Sequence, residues 1–104
     1  MRNWINLCES AVSLGDLVEA RTSFEDADFW ITRRGSLETV GKPTREYNPE
    51  HIGIRVIDTE RLLPDYLFYA MQHVWLEGHF KQIASGVTAL VNIRISDVLA
   101  IKFR

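Results

Sequence analysis

Several features that would announce a function are missing from this 104-residue chain. It has one cysteine, Cys8, which excludes an intramolecular disulfide and fits the reducing cytoplasm that we expect as its location. No apolar run approaches the roughly 18 residues that a membrane-spanning helix needs, and no apolar signal-peptide core follows Met1. We therefore expect a protein with no membrane association.

A strong charge of one sign is also missing, because the net charge is only −2. No overall basic field points to nucleic acid. The charge is nevertheless uneven. Residues 1–32 carry two basic and six acidic side chains, whereas residues 33–104 carry ten basic and eight acidic ones. The positive charge is therefore local.

No recognised catalytic motif is present: the chain lacks a G-x-S-x-G elbow, a phosphate-binding P-loop, a G-x-G-x-x-G loop and an EF-hand. The nearest approach to a metal site is His73 with Glu77, four residues apart on one predicted helix face, and His79 beyond them. A zinc site would need further ligands. We predict a protein that is not an enzyme and has no cofactor or metal. A small metalloenzyme using His73 and Glu77 is kept as the least favoured hypothesis.

Hydrophobic patterning predicts an α+β fold, with a mixed sheet and a few helices, in a single domain over residues 1–104. The clearest helix begins at Pro64 and ends before Gly78. A short helix is also predicted over 13–20, and a turn or short helix over 80–86. The predicted strands cover 28–34, 37–40, 51–58, 90–95 and 98–104.

One window concentrates basic side chains. From Arg33 to Arg45 the chain has four basic residues and one acidic residue, placed on a predicted hairpin about Gly35 and on an irregular loop over 41–51. Arginine guanidinium groups and nearby hydroxyls can donate hydrogen bonds to phosphates and base edges, which indicates DNA contact. A solvated turn with scattered charges is the alternative. The candidate contacts in this window are Arg33, Arg34, Ser36, Lys42 and Arg45.

The order of four segments resembles the target-recognition domain of the specificity (S) subunit of type I restriction–modification enzymes. The segments are "SLGDLVEA", "DFWITRRGSLETVG", "LLPDYLFYAMQ" and "IASGVTALVNIRISDVLAIKF". Together they cover about residues 12–104. The resemblance implies a non-catalytic domain that reads double-stranded DNA.

Carried over to this chain, the resemblance places residues 33–36 on a hairpin near the DNA. It also places Ser85, Gly86, Val87 and Thr88 in a loop after the long helix, as candidates for phosphate contact. Gly86 has two interpretations that the sequence leaves open: close approach to a phosphate, or the end of a helix.

The same resemblance implies partners. S subunits usually carry two such domains, each followed by a spacer helix that docks methyltransferase subunits, and this chain ends at Arg104, where that helix would begin. Methyltransferase subunits and a second copy of the chain are therefore candidate partners besides DNA. The alternative function is a protein-interaction or regulatory module, a decoy or docking partner that does not itself bind DNA.

Overall fold

A computed structural model describes residues 12–87 and 90–103, and these form an α+β fold. This confirms the predicted fold class. The strands are β1 (Val12–Ser13), β2 (Val18–Arg21), β3 (Phe29–Ile31), β4 (Arg34–Gly35), β5 (Pro43–Thr44), β6 (Ile52–Val56), β7 (Ser85–Val87), β8 (Leu90–Asn92) and β9 (Lys102–Phe103). The helices are α1 (Pro64–Leu76), α2 (His79–Ile83) and α3 (Ile95–Leu99), with a 3-10 turn over Leu14–Asp16.

The strands form three antiparallel sheets. Four strands pair in the order β2-β6-β3-β5, three pair in the order β4-β8-β7, and β1 pairs with β9. The four-stranded sheet contributes much of the hydrophobic core. The three-stranded sheet begins with β4, which is the next strand after β3 in the chain. No helix in the described ranges combines the length and the apolar character that a membrane span requires.

Strand β6 and helix α1 follow their sequence patterns closely. Ile52, Ile54 and Val56 are buried in the main core, and Arg55 between them is exposed. On α1 the predicted apolar face lies against that core: Leu67 and Met71 are fully buried, and Phe68, Val74 and Trp75 pack around them. Pro64 is the first helical residue, and Gly78 follows the helix with a φ of 85°. Both boundaries confirm the predicted helix.

Strand β3 is buried on both sides. Phe29 and Ile31 belong to the main core, and Phe29 meets Phe68 of α1 edge to face with ring centroids 5.4 Å apart. Trp30 points the other way, and its indole N–H donates to the Phe24 carbonyl oxygen at 2.9 Å. The edge-to-face contact fixes α1 over the sheet.

The predicted helix over 13–20 is wrong. Only Leu14–Asp16 makes a helical turn, and β2 follows it. Val18 and Ala20 pair with Val56 and Ile54 of β6, and this ladder outweighs the weak local helix preference of a segment that contains glycine. The Ser13 hydroxyl does not cap a helix; it donates to the Leu99 carbonyl oxygen at 2.8 Å.

The predicted strand over 98–104 is also largely wrong, because residues 95–99 form α3 and, within the described residues 100–103, only Lys102–Phe103 is a strand. The "SD" pair at 96–97 lies inside this helix instead of in a turn. Asp97 explains the helix start, since its carboxylate accepts the backbone N–H of Arg94 at 2.8 Å.

Candidate nucleic-acid interface

Two segments that were predicted separately as DNA contacts meet in the three-stranded sheet. Strand β4 belongs to the basic window, and β7 belongs to the Ser–Gly segment after the long helix. Strand β8 lies between them and pairs with both. The predicted hairpin about Gly35 does not form, because β4 pairs with β8 and not with residues 37–40. The predicted loop from Ser85 onward is instead a strand as far as Val87.

One row of polar residues crosses this sheet. Asn92 on β8 is directly opposite Arg34 on β4 and directly opposite Ser85 on β7. Residues directly opposite each other in antiparallel strands share a face, with Cβ atoms about 5 Å apart. All three residues are exposed. The outer face of the sheet therefore presents a guanidinium, a carboxamide and a hydroxyl side by side.

The inner face of the sheet is apolar. Val91 is 5% exposed and Ile93 is 1% exposed, and both belong to the main core. Gly86 lies directly opposite Val91 with a φ of 140°. A Cβ there would stand 2.6 Å from the Leu90 carbonyl oxygen and 2.9 Å from the Val91 Cα. Gly86 is thus required for the close approach of β7 and β8. It does not end α2, which stops at Ile83.

The two adjacent arginines have different environments. Arg34 is exposed and has no acidic partner within 4.0 Å among the described residues, so its charge is available to a ligand. Arg33 is half-buried, and its Nε is buried without a hydrogen-bond partner in the described part of the chain. The Arg33 carbonyl oxygen accepts the N–H of Ile93 at 3.0 Å, which extends the β4–β8 pairing. Only Arg34 therefore projects fully from the sheet.

Ser36 begins a tight turn. Its carbonyl oxygen accepts the N–H groups of Thr39 and Val40 at 3.1 and 3.0 Å, and its hydroxyl lies 3.1 Å from the Thr39 hydroxyl. These contacts replace the predicted strand over 37–40. The chain returns antiparallel to β3 only at Pro43–Thr44, inside the segment predicted to be an irregular loop.

Lys42 and Arg45 pack against aromatic residues of α1. The Lys42 ammonium lies 5.5 Å from the Trp75 ring centroid. The Arg45 guanidinium lies 4.0 Å from the Phe68 ring centroid, and its Nη1 is 3.2 Å from Asp65 Oδ1. The basic window thus does not form one continuous patch, because Arg45 already has an anion and a ring as partners.

Thr88 lies outside the described residues, as does Cys8. Two outward residues of the sheet were not predicted as contacts. These are Asn92 and, two positions earlier on the same face of β8, Leu90, which is 57% exposed. The strand pattern of "LVNIRI" gives their alternation, but only the pairing with β4 shows that Asn92 adjoins Arg34.

His73 and Glu77 are an exposed pair on α1, with Nε2 and Oε2 3.8 Å apart. Nowhere in the described ranges do three His, Cys, Asp or Glu side chains meet as potential metal ligands. A separate titratable group is His51, before β6, whose Nδ1 is buried without a hydrogen-bond partner among the described residues. Burial lowers the pKa of His51, and the neighbouring Glu50 charge opposes that shift in part.

A second concave surface lies away from the three-stranded sheet. The outer side of α1 and residues 100–102 form the walls of an open groove of about 710 Å³. Tyr66, Tyr69 and Val74 line it from the helix, and Ile101 and Lys102 face them. Most of its lining is apolar, and its volume lies in the range of pockets that hold small molecules.

Comparison with known proteins bears on the fold. No protein-family model matches the sequence, and no curated protein does. A solved structure does match: the type I restriction-modification system S subunit from M. genitalium, with a TM-score of 0.68 and 14% sequence identity. This chain has the fold found in that S subunit. The match covers 99% of this chain and 37% of the S subunit, so the chain spans little more than a third of that protein's length. The resemblance of the four sequence segments is confirmed at the level of the fold.

Proposed function

We propose that this protein is a non-catalytic DNA-binding domain, and that the outer face of β4, β8 and β7 is the surface that contacts double-stranded DNA. The observation that carries the proposal is the row of Arg34, Asn92 and Ser85, three exposed polar residues in register across one sheet. Its fold likeness to an S subunit of a restriction-modification system supports DNA as the ligand.

The chemistry of this row suits a duplex. Arg34 supplies a planar, permanently charged fork without an acidic partner in the described chain. The Ser85 hydroxyl can donate to a phosphate oxygen, and Asn92 can both donate and accept. The face is held rigid because Val91 and Ile93 anchor the other side of β8 in the core. A net charge of −2 does not oppose this function, since a DNA-binding protein needs positive charge only on the surface that contacts the duplex.

The proposed DNA contacts are fewer than those predicted from the sequence. Arg34 and Ser85 belong to the proposed surface, and Ser36 follows β4 directly. Gly86 lies opposite the inward-facing Val91, where it lets β7 approach β8 closely. Arg33 contributes through its backbone pairing to β8. Lys42 and Arg45 are assigned to packing on α1, because their charges lie against aromatic rings.

The test is a fluorescence-anisotropy titration of the purified protein against a random-sequence duplex at about 50 and 200 mM salt. We expect binding that weakens steeply with salt, because each neutralised phosphate releases condensed counterions. Absence of binding at the lower salt concentration would contradict the proposal.

A second candidate function is favoured by the groove between α1 and residues 100–102. A module that docks on restriction–modification proteins, with methyltransferase subunits or a second copy of the chain as partner, would use such a groove in place of DNA contact. This candidate predicts that a groove variant, Tyr69→Glu, abolishes association in sedimentation or co-purification with the methyltransferase while leaving the protein folded. Unchanged association would reject it.

A further inference from the structure

We propose that Asn92 reads the major-groove edge of an adenine. This inference rests on the proposed DNA-binding function and adds to it the kind of base contact made at the centre of the sheet. Asn92 was not among the contacts predicted from sequence, and its position in the fold is what identifies it.

Asn92 occupies the middle strand, between two partners in register. Neighbouring strands lie about 4.8 Å apart, so the row from Arg34 to Ser85 spans about 10 Å. A major groove about 12 Å wide admits two adjacent strands, so β8 enters it with one neighbour and the other neighbour lies over a groove edge. The outer members of the row then lie near the groove walls, where the phosphates are, and the central carboxamide points at the base edges.

The Asn92 side chain is free to read a base. It is exposed, and its carboxamide makes no hydrogen bond to any other described residue. Its backbone is fixed on both sides by β4 and β7, which limits the geometry that the short side chain can adopt. A carboxamide held in this way donates to adenine N7 and accepts from the adenine N6 amino group, a pair of bonds that no other base offers in the major groove.

Leu90 supports a reading contact at this place. It lies two residues before Asn92 on the same face of β8 and is 57% exposed. An aliphatic side chain beside a base-reading amide suits the methyl group of a thymine. The face thus offers one polar and one apolar contact along a single strand, and neither is used inside the described fold.

The experiment selects bound duplexes from a library with a random core. The selection is carried out in parallel with three proteins: the wild type, Asn92→Asp and Ser85→Ala. Asp is isosteric with Asn but only accepts hydrogen bonds, so it disfavours adenine N7 and favours the cytosine N4 amino group. We expect one adenine position in the wild-type motif to change to cytosine in Asn92→Asp, with discrimination at that position of roughly ten- to a hundred-fold. Ser85→Ala should keep the wild-type motif and lose only affinity.

The outcomes separate the two proposals. Binding by the wild type with an adenine position that changes only in Asn92→Asp supports both. Binding with a motif that Asn92→Asp leaves unchanged overturns the reading role of Asn92 and leaves DNA binding intact. If the wild type enriches nothing and binds no duplex at low salt, DNA binding and the reading role are both rejected.

Discussion

Arg45 lies over the ring of Phe68, with the guanidinium carbon 4.0 Å from the ring centroid. The same guanidinium pairs with Asp65 at the start of α1. Phe68 in turn meets Phe29 of β3 edge to face. Arg45 therefore links the segment after β5 to the helix and, through Phe68, to the sheet. Its charge has partners within the chain, although its place in the sequence is beside the basic residues of the candidate interface.

This position predicts that Arg45→Ala lowers stability more than DNA affinity. The lost cation–π contact and the largely exposed ion pair together contribute about 1 kcal/mol to the free energy of unfolding. Urea unfolding followed by tryptophan fluorescence should show a lower midpoint with an unchanged slope. Arg55→Ala is the matched control, since Arg55 is an exposed arginine on β6. Equal midpoints for the two variants would show that the Arg45 contacts add nothing.

Gly86→Ala should disturb the edge of the proposed DNA surface. The added Cβ meets the backbone of Leu90 and Val91, and the φ of 140° is strained for a residue with a side chain. We expect a loss of roughly 1–3 kcal/mol in the free energy of unfolding. Ser85→Ala, at the neighbouring exposed position, should stay within about 0.5 kcal/mol of the wild type. Chemical denaturation gives the free energy of unfolding of both variants. A Gly86→Ala protein as stable as Ser85→Ala would refute the tight packing of β7 on β8.

His51 predicts a pH dependence of stability. Burial lowers its pKa below the ordinary value of 6.5, so the unfolded chain binds more protons than the folded chain just below that pH. This favours unfolding, and stability should fall as the pH drops from about 6.5 toward the lowered folded-state pKa. His51→Gln removes the titrating group. The free energy of unfolding measured between pH 7 and pH 5.5 should fall less for His51→Gln than for the wild type, and parallel curves would count against the assignment.

The parts of the fold that were predictable from sequence are those with a local cause. The alternation of Ile52, Ile54 and Val56 gives the buried face of β6, and the spacing of Leu67 and Met71 gives that of α1. Both patterns follow from the geometry of a single element, so neither requires knowledge of its neighbours.

The parts that were not predictable depend on contacts between distant segments. A β-branched stretch after β8 indicated a strand, but the contact of the Asp97 carboxylate with the Arg94 N–H starts a helix there. The pairing of β4 with β8 joins residues far apart in the chain, so the adjacency of Arg34 and Asn92 could not be predicted from spacing. Of the proposed surface, Arg34 and Ser85 were predicted as contacts from the sequence, whereas Asn92 emerged only from the strand register. These contacts remain predictions.

The outer face of the β4–β8–β7 sheet is proposed to contact DNA phosphates and bases. Arg34 and Arg55 allow a matched test, because both are exposed arginines on strands and have no acidic partner within 4.0 Å among the described residues, but they belong to different sheets. Losing one phosphate contact reduces the slope of log affinity against log salt by about 0.9.

The decisive measurement is therefore the salt dependence of duplex binding by the wild type, Arg34→Ala and Arg55→Ala, followed by fluorescence anisotropy. We expect weaker binding and a slope shallower by about one unit for Arg34→Ala, with Arg55→Ala indistinguishable from the wild type. Equal slopes and affinities for all three proteins would contradict the assignment of this face as the DNA-binding surface.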